Sequence, residues 1–175
     1  SPTISAKHTP EFLNELKSRY PNAYIIPEGG TNHLAVKGCE EILSDDDKHN
    51  YDVICCAVGT GGTISGIINA SNAHQTVLGF SALKGDFLVA EIQQWTDKTN
   101  WQLLEEDRFG GYGKFNDELK EFLAQIYQQS HIPFEPIYTG KMIYRLQQLI
   151  DNHYFKSGSR ILVIHTGGLQ AFAKL

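Results

Sequence analysis

The residues best suited to chemistry in this chain are Gly59, Thr60, Gly61, Gly62 and Thr63. They follow the apolar run Val53–Val58 and precede Ile64, Ile67 and Ile68 at helical spacing. Three glycines leave backbone N–H groups uncovered, and the two threonine hydroxyls add donors. The segment also opens a helix, whose first-turn amides lack intrahelical partners and whose dipole end is positive. A small phosphate fits this set of donors. The nucleotide signatures do not: no Gly-Lys-Ser/Thr closes the loop, and Ile64 stands where the dinucleotide fingerprint needs its third glycine. The alternative reading of the loop is a tight strand-to-helix reversal that binds nothing.

Two further glycine-rich turns, Glu28-Gly29-Gly30 and Thr166-Gly167-Gly168, also fall where strands are expected to end. In open parallel sheets ligands bind outside the carboxyl ends of the strands, so three such loops can form one pocket from separated segments. Two tyrosines stand at other loop positions, Tyr112 in the 109–114 loop and Tyr138 at the end of the expected 134–138 strand. From the residues alone, the first reads as an exposed loop aromatic and the second as a strand-end core residue.

These loops need an alternating framework to hold them. Thr9-Pro10 opens a helix with Phe12, Leu13, Leu16 and Tyr20 on one face. Residues 24–27 are expected as a short strand, 31–43 as a helix and 44–50 as a charged loop. The run 53–58 is nearly all apolar, as in a strand covered on both faces. Strands are expected at 76–82, 101–104, 134–138 and 160–165, with helices at 86–98, from Asn116 or Asp117, and at 141–154. The alternation indicates an α/β fold with a mainly parallel open sheet and helices on both faces.

Composition sets the bounds. The chain has 175 residues and a net charge of −5, and its length favours a single domain, 1–175. The acidic balance argues against nucleic acid as a partner. Cys39, Cys55 and Cys56 form no CxxC pair and read as buried reduced thiols of a cytoplasmic protein. The seven histidines are scattered, so no metal site is expected. The first residues carry no apolar core, so no signal peptide is expected, and no apolar run approaches the length of a membrane span.

Five motifs in order carry a resemblance: IPEGGTN at 26–32, AVGTGGTISG at 57–66, FGGYGK at 109–114, PIYTGK at 136–141 and IHTGGLQ at 164–170. Together they resemble the 1-aminocyclopropane-1-carboxylate deaminase and D-cysteine desulfhydrase family, pyridoxal 5'-phosphate enzymes of fold type II. The resemblance implies the large domain of such an enzyme, with residues 1–20 from the end of its smaller domain. It implies a homodimer acting on a small amino acid to give a 2-oxo acid and ammonia. It places the cofactor phosphate on Gly59–Thr63, Thr166 near the pyridine nitrogen, and Tyr112 and Tyr138 as catalytic residues. A phenol, with an ordinary pKa of about 10, needs a cationic or hydrogen-bonding neighbour to act as a base near neutrality.

The chain departs from the family pattern in two places. Ring-opening deaminases resemble one another in carrying glutamate after the second tyrosine, whereas Thr139 stands here, which favours the desulfhydrase branch. Thr139 also reads as a helix N-cap. The family's SGNK-like segment, with its Schiff-base lysine, does not occur, so the chain reads as a C-terminal portion inactive by itself. Lys84, Lys114 and Lys141 read as solvated charges rather than substitutes. The competing function is a phosphate- or nucleotide-binding module without catalysis.

Overall fold

The computed structural model describes residues 9–81, 87–105, 108–111 and 113–170. Four parallel strands form one sheet: β1 (Val53–Val58), β2 (Thr76–Ser81), β3 (Trp101–Glu105) and β4 (Ile161–Ile164). Their spatial order is β3-β2-β1-β4, with β1 paired to both β2 and β4. The chain winds outward from β1 through β2 to β3, then returns to the other side of β1. The gap between β1 and β4 is therefore a topological switch point, where crossover connections diverge and leave a crevice.

The α/β fold expected from the sequence is the one observed. The continuous apolar character of β1 has a simple cause: successive side chains face opposite layers. Ile54, Cys56 and Val58 pack with Ile64, Ile67 and Ile68 of α4 (Gly62–Ala70) and with Leu88 and Ile92 of α5 (Phe87–Gln93). Val53 and Cys55 pack on the other face against Met142, Leu146 and Leu149 of α7 (Thr139–Asp151). A third cluster joins Phe109 and Phe134 to Leu119 and Leu123 of α6 (Asp117–Ser130). Ahead of the sheet come α1 (Pro10–Arg19), α2 (His33–Cys39) and α3 (Asp45–Asn50). Among the described residues no helix is long and apolar enough to cross a membrane.

Several local expectations change. Residues 24–27 are not a strand: Tyr24 and Ile26 are 68% and 69% exposed, and the segment joins no sheet. The expected loop at 44–50 is the helix α3. Ser44 and Asp47 form a reciprocal capping box, and three aspartates complement the dipole of its first turn. Residues 134–138 are irregular as well, because the Glu135 side chain takes amides that a neighbouring strand would otherwise engage. Helix α7 starts at Thr139, ahead of the expected start, and the residue at its N-cap is Tyr138 rather than Thr139.

Candidate functional site

Beyond β1 the chain turns through Gly59, Thr60 and Gly61 into α4. Gly61 holds the N-cap in the left-handed region, φ 91°, where a side chain would be strained, and no side chain caps the helix. The Ser65 N–H bonds the Gly61 carbonyl at 3.0 Å. The amides of Gly62, Thr63 and Ile64 therefore precede the helical ladder. Close packing keeps this turn bare. A Cβ on Gly62 would lie 2.8 Å from Thr31 Oγ1, and one on Gly29 would lie 2.3 Å from Thr60 Cγ2. The Thr31 and Thr60 hydroxyl oxygens are 2.7 Å apart, and Thr60 donates to the Gly29 carbonyl at 3.4 Å. Thr60 has one proton to give, so Thr31 is the donor within the pair.

The three glycine-rich turns meet in one cavity of about 330 Å³ at the carboxyl ends of β1 and β4. All five residues Gly59–Thr63 line it, as do Tyr138 and Thr166. The Tyr138 ring lies against Gly59, where a Cβ would meet Cε1 at 3.5 Å. Thr166 follows β4 and lines another wall of the cavity. His165 ties that wall to its neighbour. Its Nδ1 accepts from the Gly167 N–H at 3.0 Å, which leaves the proton on Nε2 to be donated to the Pro133 carbonyl at 2.8 Å. The ring also stacks on Phe134, with centroids 4.9 Å apart.

Tyr112 and Lys84 lie outside the described residues. The segment before Tyr112 is nonetheless well fastened. Arg108 pairs with Glu118 at 2.7 Å, Phe109 is buried, and Lys141, 3% exposed, donates to the Gly111 carbonyl at 2.7 Å. Lys141 is thus a buried clamp rather than the solvated charge expected. A hydrogen bond from Tyr144, and secondarily the Arg108 guanidinium, hold the Glu118 carboxyl below its usual range. This contribution is present above the ordinary carboxylate pKa and is lost as pH falls through the lowered value.

Among the lining residues that the sequence did not single out are Thr31, Ala35, Cys39 and Glu135. Thr31 follows the first glycine turn and could have been found from it. Ala35 and Cys39 are ordinary helical residues by type, and Glu135 looks like any surface acid. The cysteines also divide. Burial pushes the Cys55 and Cys56 thiols up to about 12, so both stay protonated at neutral pH. Cys39 is only half-buried and faces the cavity. Native protein treated with a small alkylating reagent at pH 7.5 is expected to label Cys39 at least tenfold faster than the other two; equal rates in mass spectrometry would contradict this placement.

The chain is thus an α/β domain with an open parallel sheet and bare helix-start amides at its switch point, the position at which sheets of this kind take ligands. The comparisons then narrow the class. A crystal structure described as an ACC deaminase homologue has the same fold, with a TM-score of 0.83 at 24% identity over 98% of this chain and 57% of that one. No family model matches the chain. In sequence it is 30% identical to a Pyrococcus abyssi protein provisionally named as a 1-aminocyclopropane-1-carboxylate deaminase, over 91% of this chain and 54% of the relative. It is 28% identical to the Arabidopsis thaliana mitochondrial bifunctional D-cysteine desulfhydrase/1-aminocyclopropane-1-carboxylate deaminase, over 92% of this chain and 45% of that protein. The resemblance carried by the five motifs is borne out: over about nine-tenths of its length the chain is similar to curated proteins that bear those names. It spans about half the length of the curated relatives it matches.

Proposed function

We propose that the chain forms the phosphate-holding part of a pyridoxal 5'-phosphate-dependent deaminase or lyase acting on a small amino acid, as in the 1-aminocyclopropane-1-carboxylate deaminase and D-cysteine desulfhydrase family. One observation carries the proposal: the uncapped start of α4 opens into a cavity from which close packing excludes side chains. The residues fit the phosphate. Amides at Gly62 and Thr63 and the hydroxyl of Thr63 supply donors, whereas the Thr60 proton is spent on the Gly29 carbonyl. When bound, the cofactor supplies an electron sink for charge developing at the substrate α-carbon.

The chain's own residues then have separable tasks. The Gly59–Thr63 loop anchors the anion. Tyr138 closes the wall beside Gly59 and offers its phenolic oxygen for moving a proton, and Tyr112 is assigned the companion role. Thr166 presents a hydroxyl, not a carboxylate, from another wall, and Thr139 does not repair that lack. Its own hydroxyl is fully buried and donates to Glu135 at 3.2 Å. The desulfhydrase-like branch, which expels a better leaving group, is therefore favoured over ring opening. Among the described residues no lysine lines the cavity, so the covalent link to the cofactor is assigned to a lysine elsewhere.

The test is a titration of isotopically labelled protein with inorganic phosphate, pyridoxal 5'-phosphate and pyridoxal. The amides of Gly59–Ile64 are expected to shift with the first two and not with the third. Shifts elsewhere only, or a preference for ATP over both phosphates, would overturn the reading, the latter in favour of a nucleotide-binding module.

A further inference from the structure

Glu135 has no part in the scheme above, yet it is 2% exposed and lines the cavity. Its carboxylate does what the sequence at the start of α7 does not. Oε2 accepts from the Ile137 N–H at 2.7 Å, while Oε1 accepts from the amides of Tyr138 at 2.7 Å and Thr139 at 2.6 Å. Thr139 Oγ1 adds a fourth donor at 3.2 Å. Charge-assisted bonds of this kind are shorter and about twice as strong as neutral ones. The main chain of Glu135 closes the same turn, its carbonyl accepting from the Gly140 N–H at 2.8 Å. That carbonyl sits so near that a Cβ on Gly140 would lie 2.5 Å from it.

One residue thus fixes the backbone on both sides of Tyr138. Tyr138 itself carries no side-chain cap and sits at φ −117°, ψ −73°, outside the helix it precedes. The turn closed by Glu135 carries the Tyr138 Cα, and the ring lies against Gly59. An acid on an open turn would be solvated and mobile, whereas this one is sealed beneath the cavity wall with its charge spread over four donors.

We infer that Glu135 is a positioning residue for Tyr138, holding the phenol against the Gly59 loop through the backbone amides of 137–139. The inference rests on the function proposed above only for what Tyr138 then does. Its geometry is tested without any ligand. In the unmodified protein the amides of Ile137, Tyr138 and Thr139 precede or begin a helix and have no helical acceptor. They are nevertheless expected to exchange with solvent at least tenfold below unstructured rates. Free exchange at all three overturns the inference, and this measurement needs no variant.

Glu135→Gln sets an NH₂ against the Ile137 N–H. It is expected to weaken the cross-relaxation between the Tyr138 ring and Gly59 and to lower affinity for pyridoxal 5'-phosphate five- to tenfold. A double-mutant cycle separates positioning from general damage. In a Tyr138→Ala background the same substitution is expected to cause no further loss of affinity. If the two losses multiply instead, Glu135 does not act through Tyr138 and the inference fails. If neither form binds pyridoxal 5'-phosphate, the cofactor reading falls, while the ring–Gly59 contact still decides the role of Glu135.

Discussion

Thr63→Asp is expected to abolish phosphate binding while leaving the fold as stable as before, or slightly more so. Thr63 lies in the first turn of α4 and lines the cavity. A carboxylate at a helix N-terminus interacts favourably with the dipole, by about 0.3–1 kcal/mol. The same charge faces any anion seated on the Gly62 and Thr63 amides. Two like charges about 4 Å apart repel by roughly 4 kcal/mol at the effective dielectric of a protein surface. Affinity for inorganic phosphate and for pyridoxal 5'-phosphate should fall about a thousandfold. Calorimetric titration alongside a thermal melt reads both effects, and a variant that binds phosphate as well as the parent would remove the anion site from this loop.

A second large effect is expected at Gly66, inside α4. Replacing a helical glycine with alanine ordinarily gains about 1 kcal/mol. Here the new Cβ would lie 2.5 Å from the Val36 carbonyl oxygen and 2.7 Å from the Cys39 carbonyl carbon. Both are backbone atoms of α2, so no rotamer relieves the clash and the two helices must part. Gly66→Ala should therefore destabilise by about 2–3 kcal/mol, a fall of roughly 5–10 °C in melting temperature. Gly38 supplies the control within α2, since a Cβ there meets nothing within 4 Å. Gly38→Ala is expected to stabilise by up to about 1 kcal/mol. Opposite signs from one substitution in two touching helices is a result that propensity alone does not produce, and matching signs would deny the α2–α4 contact.

What could be read from the sequence follows from where the information lies. Strand β1 and helix α4 were legible because burial on both faces writes an unbroken apolar run, and because helical spacing resumes right after the glycines. Helix α3 was misjudged as a loop: the string of aspartates masked Ser44 and Asp47, whose spacing is itself a helix-start signal. Residues 134–138 have the apolar and aromatic content of a strand, but their amides are claimed by a side chain, and no local pattern reveals that. The same residue, Glu135, was absent from the expected site for the same reason. Acid type suggests solvent, whereas the carboxylate is buried against the amides of the turn into α7. The turns after β1 and β4 were legible as walls of one pocket because a position after a parallel strand carries meaning. The Gly29-Gly30 turn follows no strand and joins them only through packing. Lys141 was misread because a carbonyl 30 residues away satisfies it.

The cavity walls run from Gly29 near one end of the described chain to Gly168 near the other. No subset of the fold possesses the chamber; it comes into being only when the first turn, the central strand and the last strand have all arrived. Any guest therefore acts as a brace on the entire molecule, contributing about 2.7 kcal/mol when present at a hundred times its dissociation constant. The supply of such a compound would then govern how long the polypeptide survives proteolysis.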